Sequence, residues 1–147
     1  MTDSIRQQII EKIDARFRAI KTSGGYKTNI GNNVFDWLKR DLATTELPAL
    51  IYKDKSSEIY TDTLELYNNK ITLEIELKAE AGTGTAESIR EMIEDVYKAI
   101  GSDDTWSGLA IDSEPVSEEM EMEHSDKIIG TATIIIGIEY QKEKWSY

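Results

Sequence analysis

The side chains with the right types for chemistry are concentrated between Asp112 and Asp126. Asp112, Glu114, Glu118, Glu119, Glu121, Glu123 and Asp126 form a dense run of carboxylates, and carboxylates are the ligands that magnesium and calcium prefer. A cation site also needs those groups to converge from fixed backbone, and the spacing here fits no EF-hand loop. A two-metal phosphoester hydrolase would add a lysine or histidine close to the acids, and no such arrangement is readable beside the run. The run therefore reads as a solvated face on a loop or edge strand, with no metal assigned. His124, the single histidine, sits between Glu123 and Ser125, where an acid neighbour favours its charged form. It has no defined partner and is given no role. Gly82-x-Gly84 has the outline of a phosphate cradle. It lacks the third glycine of a dinucleotide loop and the lysine of a nucleotide loop, so it reads as a flexible connector. The absence of cysteine removes thiol nucleophiles, iron-sulfur clusters and zinc-thiolate sites. No catalytic residue and no cofactor is expected, and the chain does not read as an enzyme.

The elements that would position these groups follow from periodicity. Lys127 to Gln141, KIIGTATIIIGIEYQ, is the most apolar and β-branched stretch and reads as a long central strand. One parity carries Ile128, Gly130, Ala132, Ile134, Ile136, Ile138 and Tyr140, the other Ile129, Thr131, Thr133, Ile135, Gly137 and Glu139. Left at an edge it would template aggregation, so flanking strands are required. Ile5, Ile9, Ile13, Phe17 and Ile20 recur at helical spacing, predicting a helix from Ser4 to about Lys21, capped by Asp3 or Ser4 and ended by Ser23-Gly24-Gly25. Val34 to Leu38 reads as a short strand in preference to a turn of helix, and Leu47 to Lys53 as a strand followed by a polar loop from Lys53 to Ser57. Glu58 to Tyr67 and Ile71 to Glu80 read as a hairpin turned at Asn68-Asn69, the second strand alternating cleanly between apolar and polar residues. Thr85 caps a second helix with its stripe at Ile89, Met92, Ile93, Val96, Tyr97 and Ile100, closed by Gly101. Trp106 to Asp112 reads as a further strand. The sum is an α+β single domain over 1–147, with a mixed, mostly antiparallel sheet of about five strands and two helices packed on one face.

At 147 residues the chain is long enough to bury a core without disulfides. Its 28 acidic and 17 basic residues give a formal charge of -11, which repels phosphates and argues against sequence-specific nucleic acid binding. No segment approaches the roughly 20 apolar residues of a membrane span and no leader is visible, so a soluble, cytoplasmic product without membrane contact is expected. Trp37, Trp106, Trp145 and Tyr147 are large groups. Two of them fall in the tail 142–147, where domains usually end in polar residues, so this tail either folds back on its own domain or is a docking segment for a neighbouring subunit.

The helix IRQQIIEKIDARFRAI, the phrase LPALIYKDKSSEIY, the strand KITLEIELKAE, the helix TAESIREMIEDVYKAIGSDDTW, the strand WSGLAIDSEP and the closing IIIGIEYQ follow one another along almost the whole chain. In this order they resemble the tail terminator, or tail completion, proteins of long-tailed bacteriophages and prophages. The resemblance implies a structural subunit that assembles with itself into a hexameric ring. It would cap the tail tube protein, stop its polymerisation and join the tail to a head-completion or connector protein, in the virion tail and, during assembly, in the host bacterial cytoplasm. Trp145, Tyr147, Ile129 and Ile135 are the candidate oligomer interface, and Glu74, Glu76 and Glu80 the candidate acidic lining of the ring's lumen. The rival readings are another tail tube or head-tail joining subunit, which would polymerise openly, and a small ligand-binding regulatory α+β module, which would need a pocket lined by converging polar groups.

Overall fold

The computed structural model describes residues 3–38, 40, 42–61, 63–80, 85–124 and 128–145, with backbone alone for residues 44, 123, 124 and 128. The elements run α1 (Ile5–Arg18), β1 (Val34–Asp36), β2 (Ala49–Thr61), β3 (Leu66–Glu80), α2 (Thr85–Gly101), β4 (Asp112–His124) and β5 (Ile128–Glu143). They form one five-stranded sheet in the order β1-β2-β3-β5-β4. The β1/β2 pair is parallel and the other three pairs are antiparallel. This is the α+β architecture anticipated, with both helices on one face.

That face is built by alternation. Ile71, Leu73, Ile75, Leu77 and Ala79 of β3 stand beside Ile138, Ile136, Ile134, Ala132 and Gly130 of β5, and these apolar side chains are buried beneath Ile9, Ile13 and Phe17 of α1 and Ile89, Met92 and Val96 of α2. Each such isoleucine or leucine contributes about 1.5 to 3 kcal/mol by leaving water. Gly130 permits the close seat of α2, since a Cβ there would lie 2.8 Å from Thr85 Cγ2. At the other side of the layer the Phe17 and Tyr52 rings meet edge to face at 6.0 Å, and the Tyr52 hydroxyl donates to Asp14 Oδ1 at 2.8 Å. Burial and that carboxylate push the Tyr52 phenol above its ordinary range.

The boundaries differ from the sequence expectation in instructive places. Ser4 caps α1, its hydroxyl accepting from the Gln7 amide at 3.0 Å. The helix stops at Arg18, ahead of Lys21, and the Ile20 carbonyl accepts from the Gly31 amide at 2.9 Å instead of continuing the ladder. Gly25 takes the positive φ of 90° that follows. The polar segment Lys53 to Ser57 is no loop: β2 runs through it with a bulge between Asp54 and Ser56. Asn68 and Asn69 are no turn either. They lie inside β3, paired to Tyr60 and Ile59 on one side and to Gln141 and Tyr140 on the other, so a partner on each side overrides their turn preference. The hairpin turns between Thr61 and Leu66 instead. Trp106 to Leu109 is a turn, not a strand, with Trp106 and Ser107 at positive φ. The strand begins at Asp112 and takes in the acidic run. Its signal was present, because Met120 and Met122 alternate with Glu119 and Glu121.

The segment after α1 is pinned by buried Asp95 of α2, which accepts from the Lys27 amide (3.0 Å), the Thr28 amide (2.8 Å) and the Thr28 hydroxyl (2.6 Å). It brings Gly31 against the end of α1, where an added Cβ would lie 2.5 Å from the Arg18 carbonyl, 2.7 Å from that of Ile20 and 2.8 Å from that of Phe17. Backbone cannot yield as a side chain can. Gly31→Ala should therefore lower unfolding free energy by about 1 to 3 kcal/mol, while Gly101→Ala, with nothing within 4 Å of the new methyl, should leave it nearly unchanged. Urea denaturation of the two variants beside the parent measures both.

Candidate assembly surfaces

The face opposite the helices carries the second parity. On it Glu76 stands between Ile51 and Thr133, and Glu74 between Lys53 and Ile135. Farther out, Thr133 faces Glu119 and Thr131 faces Glu121 of β4. Ile129 and Ile135 are half-buried here, and Glu80 is exposed beside Ile129 at the end of β3. Lysines temper the acids. Lys55 Nζ reaches Glu74 at 2.5 Å and Lys78 Nζ lies 3.6 Å from Glu76, pairs worth about 0.2 to 1 kcal/mol at such exposure. The stem of Lys70 crosses Gly137, where a Cβ would come within 2.5 Å of Lys70 Cε. Glycine at that point lets a cation lie between the positions of Glu58 and Glu139, its two cross-strand neighbours.

Among the described residues both sheet edges are open. The outer side of β4 has no strand neighbour among the described residues, and β1 covers β2 only at Leu50, Ile51 and Tyr52. Beyond Tyr52, β2 continues to Thr61 with no strand of the described residues on its outer side, and the Asp54 carbonyl accepts from Arg6 Nη2 at 2.9 Å. Ile59 and Tyr60 are exposed on that stretch of β2, and Val116, Met120 and Met122 on β4. A bulge in each strand and Pro115 in β4 keep the edges irregular, the usual protection against indiscriminate pairing. β4 is also held to α2, because the Tyr97 hydroxyl donates to Glu118 Oε2 at 2.6 Å. Burial, together with that carboxylate, pushes the phenol up to about 12.

The aromatic residues singled out by sequence fall into distinct environments. Trp106 is fully buried, its indole N–H donating to Ser113 Oγ at 2.8 Å and the Arg16 guanidinium lying 4.1 Å above its ring. Trp37 is partly exposed and donates to Asp54 Oδ1 at 2.7 Å. Trp145 is 91 % exposed and meets the Tyr67 ring edge to face at 6.1 Å between ring centres. The tail is shorter than expected, since Lys142 and Glu143 still belong to β5, in register with Tyr67 and Leu66. Tyr147, Asp126 and Gly82-x-Gly84 lie outside the described residues, as do the side chains of Glu123 and His124. Among the described residues no three His, Cys, Asp or Glu groups are placed to hold a metal ion, and no helix is long and apolar enough to cross a membrane.

Together these features define a class of protein: a single-sheet α+β domain with one helix-covered face, one charged bare face and, among the described residues, two edges without strand partners. No protein-family profile and no curated protein matches the chain.

The turn that sets Trp106 under Arg16 and carries the chain toward β4 depends on one carboxylate. Asp103 accepts from the Thr105 hydroxyl at 2.6 Å, the Ser107 amide at 2.8 Å and the Thr105 amide at 3.0 Å, with Arg16 nearby at 3.7 Å. These donors hold its carboxyl down to about 2. A depressed carboxylate stabilises the fold above its ordinary range, and the contribution fades as pH falls through about 4 toward 2. Acid titration followed by the Trp106 indole resonance should show the turn opening in that window. Asp103→Asn should flatten the dependence.

Proposed function

We propose that this chain is a tail terminator-like structural subunit of a long-tailed phage or prophage, which closes into a ring on the end of the tail tube. The observation that carries the reading is the pair of open edges at different places on one sheet. Pairing β4 of one copy with the Lys53 to Thr61 part of β2 in the next joins two unlike surfaces. Such heterologous contacts propagate head to tail and close into a ring when the rotation per subunit permits. The edges suit each other in chemistry as well. β4 offers Val116 and Met120 with Glu114, Glu119 and Glu121, and the β2 stretch offers Ile59 and Tyr60 with charges of both signs, Lys53 and Lys55 beside Asp54 and Glu58.

The bare face supplies the second requirement of a tail ring. Glu74, Glu76 and Glu80 of β3, with Glu119 and Glu121 of β4, would keep a DNA-conducting lumen from binding phosphates, as like charge repels at short range. Ile129 and Ile135 lie on this same face, so their role follows from how the sheets of neighbouring copies tilt. Exposed Trp145 is left for the tube or for the head-completion or connector protein.

Light scattering should find a closed oligomer at high concentration or on tail tubes, and electron microscopy should find capped tubes that no longer grow. Ile59→Lys and Val116→Lys, both at exposed positions, should each leave stability within about 0.5 kcal/mol of the parent yet shift the assembly to monomer. A protein that stays monomeric and neither binds nor caps tubes would sink the proposal. An open filament in place of a ring would move the assignment to a tube subunit.

A further inference from the structure

β4 is 13 residues long, and only part of the β2 edge is free to receive a strand of that length. β2 pairs antiparallel with β3, β3 with β5 and β5 with β4, so three reversals leave β2 and β4 running in opposite directions. When a second copy stands beside the first with its helices on the same side of the sheet, its β2 is therefore antiparallel to β4. β1 already occupies the outer side of β2 at Leu50, Ile51 and Tyr52, and the Trp37 amide extends that contact by donating to the Tyr52 carbonyl at 3.0 Å. A docked β4 advances toward β1, so it must stop before Lys53.

The two faces fix the rest of the register. On the helix side of β2 lie Asp54, Ser57 and Ile59, level with Leu73, Ile71 and Asn69 of β3. On the helix side of β4 lie Met120 and Met122, level with Ala132 and Gly130 of β5. With the helix sides matched and the overlap as long as β1 allows, His124 falls opposite Asp54, Met122 opposite Ser57 and Met120 opposite Ile59, because the bulge at Lys55 absorbs one position.

That register joins surfaces that suit each other. Ser57 and Ile59 line a cavity of about 230 Å³ whose walls also include Tyr140. Met120 is 39 % exposed and Ile59 60 %, and an unbranched thioether side chain adapts to an irregular cavity. Charge complements the fit. Lys53 of β2 and Lys142 at the cavity make no ion pair among the described residues, and neither do Glu119 and Glu121 of β4. The acids of the receiving stretch are already engaged, Asp54 by Arg6 and Trp37 and Glu58 by the Tyr60 hydroxyl.

We propose that β4 docks on the Asp54 to Thr61 edge of a second copy in this antiparallel register, with Met120 seated against Ile59 at the cavity. The inference rests on the β4-to-β2 contact of the ring reading and adds its direction, its register and its anchoring side chain.

The chain contains no cysteine, so introduced thiols report the register. A mixture of Ile59→Cys and Met120→Cys proteins should form a disulfide-linked dimer under mild oxidation, since directly opposite residues of antiparallel strands lie about 4.5 to 5.5 Å apart. A mixture of Ile59→Cys and Ile111→Cys, the pair that level alignment of the two sheets would join, should not. In protein carrying 13C at the methionine methyls, the Met120 and Met122 signals should move with protein concentration while that of buried Met92 stays. Met120→Ser should weaken association on the order of tenfold. Assembled copies that fail to link position 59 to position 120, that leave both methyl signals in place, or that associate undiminished as Met120→Ser would overturn the register and leave the ring standing. A protein that stays monomeric at every concentration and on tail tubes would overturn both.

Discussion

The rest of this structure depends on the two-residue repeat of β3 and β5, which lie side by side over fifteen paired positions. Successive side chains must leave opposite faces of a strand, so a single register decides which residues meet the helices and which do not. Ile71 to Ala79 and Ala132 to Tyr140 are apolar on one parity, and that parity alone is roofed by α1 and α2. A slip of one residue would expose the whole set and bury Glu74 and Glu76 without partners. The turn-prone Asn68 and Asn69, the bulge of β2 and the glycines at 130 and 137 are all accommodations to this one register.

The same constraint creates the bare face and the two edges. Two helices suffice to cover one face of a five-stranded sheet, and the other face is left to mixed charge and half-buried aliphatic residues. Long strands in the middle need long partners, so β2 and β4 extend well beyond the short β1 and end as edges. An open sheet edge must be blunted or used. Bulges, acids and Pro115 moderate these two, while Ile59, Val116, Met120 and Met122 remain exposed along them.

Small side-chain clusters hold the roof to the sheet. Asp95 gathers the Lys27 and Thr28 donors and fixes the crossing from α1 to β1. Asp103 shapes the turn that delivers Trp106 beneath Arg16. Tyr97 meets Glu118 and ties α2 to the edge strand. Each joins segments far apart in sequence or stabilises a turn without regular hydrogen bonding, and each does so with a carboxylate. In this chain, then, part of the acidic excess is structural as well as solvating.

The sequence by itself determined the elements whose signal is periodic. Both helices, the alternating strand from Ile71 to Glu80 and the central strand begun at Ile128 were legible because apolar residues at fixed spacing demand one buried side. The two parities of β5, and hence the positions of Ile129 and Ile135 on the bare face, followed from the same rule. Tertiary structure decided what local preference had misjudged. Lys53 to Ser57 and Asn68-Asn69 are polar and turn-forming in isolation, yet pairing with a neighbouring strand satisfies their backbones and makes them continuous strand. Trp106, with a β-forming side chain, became the plug of a turn because Arg16 and Ser113 offered it a roof and an acceptor from elsewhere in the chain. Glu74 and Glu76 were readable as a wet stripe. The Asp95 cluster was not, since Lys27 and Thr28 lie far from α2 in sequence and meet its carboxylate only when both helices have packed on the sheet.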